Sequence, residues 1–188
     1  MEHAWAEVQN QLNVIVDFQS YFALIGRPFA DIIAELGLAH QLKEIEQVFR
    51  ITSATHLDLA TFYPCAVATL VKLHQDGIKL GIVTSKDRLR SSAILARLPV
   101  EFVTIQTPDP RYRGKPAPDH LLVAMAEAHV DPVETVYIGD MDADYEAASR
   151  ARVDYVHAAW GYGQSFPECT VVAHEFSEVA ALLGGSTN

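Results

Sequence analysis

From residue 63 onward, short apolar runs typical of β-strands alternate with longer amphipathic runs typical of helices. Such an alternation predicts βαβ units, in which each helix crosses over and brings the next strand parallel to the previous one. The predicted strands cover residues 79–84, 102–105, 135–138 and 155–159, and the predicted helices cover 65–76, 88–98, 117–128 and 144–152. We therefore predict that residues 63–188 form an α/β domain built on a parallel sheet.

The N-terminal third of the chain lacks this alternation and has helical spacing of its apolar residues. Apolar side chains recur every three or four positions over 4–24, although 14–16 would also suit a short strand. A second helix is predicted over 27–36, with a proline in its first turn and a glycine at its end, and a third over 40–52. We expect residues 1–62 to form a separate helical module.

A cluster of acidic residues follows the third predicted strand. The run 135–138 leads into Gly139, after which Asp140, Asp142 and Asp144 occupy every second position. Open α/β sheets bind ligands at the carboxyl ends of their strands, and hard cations such as Mg²⁺ prefer oxygen ligands. The cluster therefore indicates a cation site, with a solvated acidic turn that caps the next helix as the alternative.

Two further strand ends carry polar residues. Thr84, Ser85 and Lys86 follow the first predicted strand, and Lys115 precedes a predicted helix. Each has a local explanation, such as a helix cap or a solvated loop lysine. Because the ends of parallel strands converge, the groups together favour one site in which a hydroxyl and backbone amides hold phosphoryl oxygens, Lys115 neutralises charge and Asp140 anchors Mg²⁺.

Composition limits the classes of partner. Of the 188 residues 49% are hydrophobic, which is enough for a packed core. The formal net charge of −10 disfavours binding to the phosphate backbone of nucleic acids and to anionic membrane surfaces. We expect neither as a partner.

Cysteine usage and the N-terminus indicate the compartment. Cys65 and Cys169 lie far apart and lack histidines at metal-ligand spacing, so we expect neither a disulfide framework nor a zinc site. Both are predicted to be small buried side chains in a reducing compartment. The first residues do not resemble a signal peptide, and no apolar segment reaches membrane-spanning length. We therefore expect a cytoplasmic protein.

Residues 82–86, 113–118 and 139–144 resemble, in this order, the second, third and fourth motifs of the haloacid dehalogenase-like (HAD) superfamily. Lys-Pro-x-Pro at 115–118 and Gly-Asp-x-x-x-Asp in the last segment are the specific elements. The chain is most similar to the phosphoglycolate-phosphatase-like branch, and the resemblance covers nearly its whole length. It implies an α/β fold with a Rossmann-like parallel sheet core of the HAD type and an N-terminal helical cap.

The resemblance implies a Mg²⁺-dependent phosphatase that acts on a small phosphorylated metabolite. Thr84 would bind the phosphoryl group, Lys115 would stabilise the nucleophile and the phosphate, and Asp140 would ligate Mg²⁺. Asp144 would support either the metal or Lys115. The implied catalytic residues are thus Thr84, Lys115, Asp140 and Asp144, with Asp140 and Asp144 also at the metal.

The same resemblance implies substrate contacts from Thr84, Ser85 and Lys86 and from the cap. In this family the cap closes over the site and selects the substrate, which makes residues 25–29 a candidate contact. Arg27 would suit a clamp for a phosphate or a carboxylate. A surface salt bridge is an equally good interpretation of Arg27.

The family's first motif, an apolar strand that ends in Asp-x-Asp-Gly-Thr and supplies the nucleophile, does not occur in this chain. The nearest match is 14–21, where Gln19 replaces the second acid. Asp17 precedes residues 25–28 by only a few positions, whereas the family has a full cap helix between these elements. We therefore expect that Asp17 is not the nucleophile, that the chain begins inside the cap, and that the central strand is missing.

Three explanations of this departure stay open: a truncated sequence, a strand supplied by another chain, or loss of catalysis with retention of the fold. The expected function is a phosphatase by lineage, truncated or impaired, and the alternative is a non-catalytic pseudo-phosphatase that binds or regulates. A third possibility is the fold of response-regulator receiver domains, which also cluster acids and use a threonine and a lysine at strand ends. The helical module and the Lys-Pro-x-Pro element count against it. Unpaired neighbours of a missing strand would favour a homodimer with swapped elements or a marginally stable chain.

Overall fold

The computed structural model describes residues 1–163 and 171–184. The N-terminal part is helical, as predicted. Its helices are α1 (Glu2–Leu12), α2 (Phe18–Phe22), α3 (Phe29–Glu35) and α4 (Leu42–Thr55), with short 3₁₀ turns at Ala39–Gln41 and Leu57–Leu59. We call the segment from α1 to α4 the cap.

The single helix predicted over 4–24 is wrong, because the chain breaks after α1. Asn13 ends α1 in the left-handed conformation, with φ of 53°, which asparagine tolerates better than most residues. Asp17 then starts α2, since its carboxylate accepts the backbone N–H of Ser20 at 2.7 Å. Residues 14–16 lie in the irregular segment between the two helices, so the alternative of a strand there is also wrong.

The cap has its own hydrophobic core, in which α1 packs along α4. Trp5 is fully buried, its ring stacks on Tyr21 at a centroid distance of 4.5 Å, and its Nε1 donates to the Val16 carbonyl at 2.9 Å. This bond fixes the irregular segment after α1 against the helix that precedes it. Other side chains that are almost or completely buried in this core are Val8, Ile32, Ile33, Ile45 and Phe49.

The remainder of the chain alternates helices and strands. In chain order they are α5 (Ala66–Gln75), β1 (Gly81–Val83), α6 (Arg88–Leu95), β2 (Thr104–Gln106), α7 (Asp119–Ala128), β3 (Val136–Gly139), α8 (Asp142–Ala151), β4 (Asp154–Ala158), β5 (Val172–Ala173) and α9 (Glu178–Gly184), with a 3₁₀ turn at Pro132–Glu134. All pairings are parallel, which confirms the predicted α/β class. The strands predicted over 79–84 and 102–105 are each three residues long, those predicted over 135–138 and 155–159 keep their length but are shifted by one residue, and β5 and α9 were not predicted.

The strands form two separate ladders. One, the first half-sheet, pairs β1 with β2, with Ile82 opposite Ile105; the other, the second half-sheet, has the order β3-β4-β5, with Ile138 opposite Val156. Within the described ranges no ladder joins β1 to β3. This gap lies where the sequence analysis expected a central strand to be missing.

Helices on both faces nevertheless span the two half-sheets. On one face Leu121 of α7 and Ala147 of α8 belong to a cluster that also receives Val83 of β1 and Tyr137 of β3. On the other face a cluster that includes Leu73 of α5 and Val179 of α9 contains Leu80, which directly precedes β1, and Ile138 of β3. The half-sheets therefore lie side by side within one three-layer arrangement.

Cys65 is exposed, which corrects the prediction of a buried side chain. It precedes α5 with φ of 63°, in a turn whose neighbours Tyr63 and Pro64 are also exposed. Cys169 lies outside the described residues. In the part of the chain that the structure describes, none of the helices combines the length and apolar character needed to cross a membrane.

We expect Ile45→Ala to lower the free energy of unfolding by about 2–5 kcal/mol, because Ile45 is fully buried in the cap core and its truncation leaves a cavity. Ile51 lies on the same helix but is 58% exposed. Ile51→Ala should therefore change stability by only about 0.5 kcal/mol or less. Urea denaturation of both variants measures the difference; equal losses would contradict the described packing of α4.

Candidate active site

The carboxyl ends of β1 and β3 open into one cavity of about 590 Å³, which the cap covers from the other side. Because both strands end at this cavity, they run in the same direction. The structure brings together seven of the side chains that were proposed for the site from the sequence, namely Arg27, Thr84, Ser85, Lys86, Lys115, Asp140 and Asp144, but not Asp142.

A buried ion pair between Lys115 and Asp144 forms the floor of the site. Lys115 Nζ lies 2.5 Å from Asp144 Oδ1, and the residues are only 9% and 3% exposed. Tyr137 Oη donates to the same oxygen at 3.0 Å. Burial, and then the charge of Asp144, raise the pKa of Tyr137 well above its usual value, so this hydroxyl keeps its proton.

The second carboxylate oxygen of Asp144 accepts backbone N–H groups at the start of α8. The donors are Met141 N at 3.1 Å and Asp140 N at 3.3 Å. A Cβ on Gly139 would lie 2.5 Å from the Cβ of Asp144, so only glycine allows this close approach. Both oxygens of Asp144 are thus engaged within the protein, which favours the role of partner to Lys115; the role of metal ligand stays a prediction.

Asp140, in the same segment, also lines the cavity. Its carboxylate accepts one hydrogen bond from the backbone. Its Oδ2 accepts the N–H of Tyr162 at 2.6 Å. A Cβ on Gly161 would lie 2.2 Å from the Cβ of Asp140, so glycine is needed where this loop crosses the carboxylate. Asp142 is exposed and is not part of the cavity wall.

The residues described here do not complete a Mg²⁺ site by themselves. Across residues 1–163 and 171–184 no group of three His, Cys, Asp or Glu side chains is placed to hold a metal. Asp140 offers one carboxylate. The two carboxylate oxygens of Asp144 already bind Lys115 and the backbone N–H of Met141. Mg²⁺ requires octahedral oxygen coordination, in which waters and substrate phosphates often supplement one or two carboxylates. We therefore derive no chemical step through a metal ion.

The loop after β1 presents hydroxyl and amide groups to the cavity. Thr84 Oγ1 accepts the backbone N–H of Lys86 at 3.1 Å, and Ser85 Oγ donates to the Gly26 carbonyl of the cap at 3.2 Å. Burial, and then the nearby charge of Arg90, lower the pKa of Lys86. The loop therefore combines polar hydrogens with a poorly compensated positive charge, a combination suited to an anion.

Arg27 lies at the rim of the cavity and forms an ion pair with Glu35, with Nη1 2.6 Å from Oε2. Both side chains are substantially exposed. Of the two interpretations that the sequence left open for Arg27, the structure shows the ion pair. A role in substrate contact stays a prediction that would require Arg27 to exchange this partner.

Arg90 and His120 are among the cavity residues that were not proposed from the sequence. Arg90 forms a close ion pair with Asp87 and lies 5.8 Å from the centre of the Phe49 ring of the cap. His120 is buried edge-on to Tyr112, and burial lowers its pKa. Arg90 lies four residues after Lys86, about one helical turn, and this spacing could have identified Arg90 as a second basic residue at the cavity.

Asp17, the nearest match to a nucleophile in the sequence, lies outside this cavity. It is fully exposed and caps α2 through Ser20. The geometry agrees with the expectation that Asp17 does not serve as the nucleophile.

The protein has a parallel α/β core whose strand ends meet a helical cap. The cavity between them contains a lysine and aspartates, and this combination is typical of one class of hydrolase. The family model described as haloacid dehalogenase-like hydrolase matches residues 3–158. The chain belongs to this family, and its resemblance to the HAD superfamily is confirmed.

Curated relatives include the pyrophosphatase PpaX of Anoxybacillus flavithermus, which is 30% identical over 145 residues, covering 76% of this chain and 67% of the relative. A phosphoglycolate phosphatase of Salmonella paratyphi A is 25% identical over 167 residues, covering 85% and 66%. A phosphoglycolate phosphatase of Pseudomonas putida is 29% identical over 158 residues, covering 82% and 55%. The matches thus span between about half and two thirds of the relatives' own length.

Solved structures agree on the fold. A hydrolase from Pseudomonas syringae has a TM-score of 0.84 at 22% identity, covering 98% of this chain and 90% of that one. CbbY from Rhodobacter sphaeroides, determined in complex with phosphate, has a TM-score of 0.81 at 20% identity, covering 95% and 88%. These similarities confirm the HAD-like core with a helical cap.

We expect Asp144→Asn to lower the free energy of unfolding by about 3–5 kcal/mol, because it leaves the Lys115 charge buried without its partner. Asp76 provides the matched control, since its pair with Lys72 is exposed to solvent. Asp76→Asn should cost about 1 kcal/mol or less. Chemical denaturation of both variants tests this, and an Asp144→Asn variant as stable as the control would contradict the buried pair.

Proposed function

We propose that the chain provides the phosphate-binding scaffold of a phosphatase that hydrolyses a small phosphate monoester with the help of Mg²⁺. The observation that carries this proposal is the convergence of the Thr84 loop, Lys115 and Asp140 on one cavity under the cap. Membership in the hydrolase family, and relatives that are named as phosphatases, support a phosphorylated substrate.

In this proposal the phosphoryl group accepts a hydrogen bond from the Thr84 hydroxyl, while Ser85, whose hydroxyl donates to the Gly26 carbonyl, would contact it through the backbone of the loop. The Lys115 ammonium, held in place by Asp144, offsets the charge of the phosphoryl oxygens. Lys86 adds a second positive charge from the same loop. The rest of the metabolite would extend toward Arg27 at the cap rim, where the cap selects the substrate.

Each acidic side chain that lines the cavity has a partner in the described structure. Asp144 pairs with Lys115, Asp140 accepts the backbone N–H of Tyr162, and Asp87 pairs with Arg90. The two others, Asp109 and Glu46, pair with Arg111 and Arg50. Within the described residues, none of these carboxylates is positioned as a free nucleophile, which must be both activated and accessible. We therefore propose that the chain alone binds phosphate and hydrolyses esters weakly, if at all. Binding without any hydrolysis would instead favour the alternative of a non-catalytic module.

The remaining assignments are proposals of the same kind. A net charge of −10 supports a small metabolite as the partner in preference to nucleic acid or a membrane surface. The composition also supports a cytoplasmic location. A homodimer would be one way to satisfy the open edges of β1 and β3.

We expect Thr84→Val to weaken the binding of inorganic phosphate by about tenfold or more, because a hydrogen bond to a charged group contributes about 1.5–3 kcal/mol. Thr84→Ser should retain most of the affinity, since it keeps the hydroxyl. Ser92→Ala is the control, because Ser92 lies on the exposed side of α6. Isothermal titration calorimetry measures the three affinities.

Unchanged phosphate affinity in Thr84→Val would reject the proposed phosphoryl site. A parallel assay with an aryl phosphate and Mg²⁺ then compares the chain with Asp140→Asn. Rapid Mg²⁺-dependent hydrolysis that Asp140→Asn abolishes would show that this chain contains every residue that catalysis needs. That result would contradict the proposal of weak hydrolysis.

A further inference from the structure

Two histidines meet on the surface of the cap, where α1 begins and α4 ends. The ring centres of His3 and His56 lie 4.4 Å apart, with an angle of 69° between the ring planes. His3 belongs to the first turn of α1, and His56 directly follows α4. Both residues are exposed. They are far apart in the sequence, so the packing of α1 along α4 is what brings the two rings together.

The hydrogen bonds of His56 leave one of its ring nitrogens available. His56 Nδ1 lies 2.9 Å from the Thr52 carbonyl oxygen and 3.0 Å from Thr55 Oγ1. Because a carbonyl oxygen can only accept, Nδ1 carries the proton. In the neutral ring Nε2 then keeps its lone pair, and metal-ligating histidines commonly donate their other N–H to a backbone carbonyl in this way. His56 therefore has the tautomer and the anchored orientation of a metal ligand.

The ring of His3 is free to turn one of its nitrogens toward the same ion. Within residues 1–163 and 171–184 no hydrogen bond or ion pair engages the His3 side chain. Two imidazoles that share one Zn²⁺ at Zn–N distances of about 2.0–2.1 Å have their ring centres about 5 Å apart. The separation of 4.4 Å reaches this arrangement through small changes in side-chain torsion angles.

The packing beneath the pair holds both backbones in place. Trp5 and Val8 of α1, and Ile45 and Phe49 of α4, are almost or completely buried in the cap core. Binding of a metal ion therefore does not have to bring two mobile segments together, which lowers the entropic cost of binding. The formal net charge of −10 also favours a cation at the surface.

The type of ligand selects the class of metal. Zn²⁺ and other divalent transition metals bind imidazole well, whereas Mg²⁺ prefers oxygen ligands and dehydrates reluctantly. Among the residues that the structure describes, no third His, Cys, Asp or Glu side chain joins the pair. Water would therefore complete the coordination, and the affinity would depend on both histidines.

We propose that His3 and His56 bind one divalent transition metal ion, through Nε2 of His56 and one ring nitrogen of His3. The ion would fasten the start of α1 to the end of α4. Because the folded cap is what brings the two rings together, the bound ion would stabilise the cap against local opening. Neither histidine lines the cavity, so this site does not depend on the proposed function.

The test is calorimetric titration of the full, untagged chain with ZnCl₂. We expect one Zn²⁺ per chain. His3→Ala and His56→Ala should each weaken binding by about tenfold or more, since loss of even an outer-shell partner of a metal ligand costs about 10–100-fold. His40→Ala is the matched control and should bind like the unchanged chain, because His40 is an exposed histidine of the cap outside the pair. His3→Ala leaves the hydrogen bonds of His56 intact.

Hydrogen exchange provides a readout that does not involve the affinity of the variants. At a Zn²⁺ concentration of 100 times Kd, opening reactions that separate α1 from α4 should become about 100-fold rarer, and the amides in the middle of α1 should exchange more slowly by up to that factor. The amides of α7, in the core, should not change. His3→Ala should remove the effect of Zn²⁺ on α1.

Equal Zn²⁺ affinities of His3→Ala, His56→Ala and His40→Ala, or no binding at all, would overturn the proposal. Asp140→Asn and an excess of Mg²⁺ distinguish this site from the cation site proposed in the cavity. We expect Zn²⁺ binding to survive both. Loss of binding in Asp140→Asn, or displacement of Zn²⁺ by Mg²⁺, would assign the ion to the cavity and reject the histidine pair.

Discussion

The buried pair of Lys115 and Asp144 is the interaction on which the arrangement of the site depends. It joins the loop before α7 to the first turn of α8, while Asp144 also accepts the N–H groups that would otherwise be unpaired at the start of that helix. Tyr137 Oη, which donates to Asp144, also lies 3.4 Å from the Val83 carbonyl oxygen of the other half-sheet. A buried charge is tolerated only with such partners, so these contacts fix the positions of both strand ends together.

The approach of the cap to this network requires residues without side-chain bulk. Gly26 has φ of 94°, and a Cβ there would lie 2.8 Å from Met141 Cγ. A Cβ on Gly114 would lie 2.8 Å from Pro28 Cγ. The two glycines therefore let the cap loop and the core loops meet at the cavity, and the bond from Ser85 to the Gly26 carbonyl holds them there. Contact between cap and core thus includes these close approaches at glycines beside a ring contact between Phe22 and Tyr162.

The sequence predicted which side chains converge on the cavity better than it predicted the helices of the cap. Thr84, Lys115 and Asp140 could be expected to lie together because residues at the carboxyl ends of parallel strands meet at the same edge of a sheet. The break at Asn13 could not, since apolar spacing continues through it, and neither the left-handed conformation of Asn13 nor the bond between Asp17 and Ser20 is visible in that spacing. Strand β5 has only two residues, too few to produce a periodic pattern. Whether Asp144 contacts a metal ion or Lys115 could not be predicted, because the spacing of residues along the sequence does not give the distance between their side chains.

The gap between the half-sheets and the incomplete cation site lie at the same place in the fold. Within the described ranges no ladder joins β1 to β3, and the apolar clusters of the two helical layers hold the half-sheets side by side. Lys115 is held at this place by Asp144 of α8, and Asp140 is held by the backbone N–H of Tyr162. The side chains that converge on the cavity are therefore positioned by helices and loops more than by strand pairing, which explains how they come together although the sheet is divided.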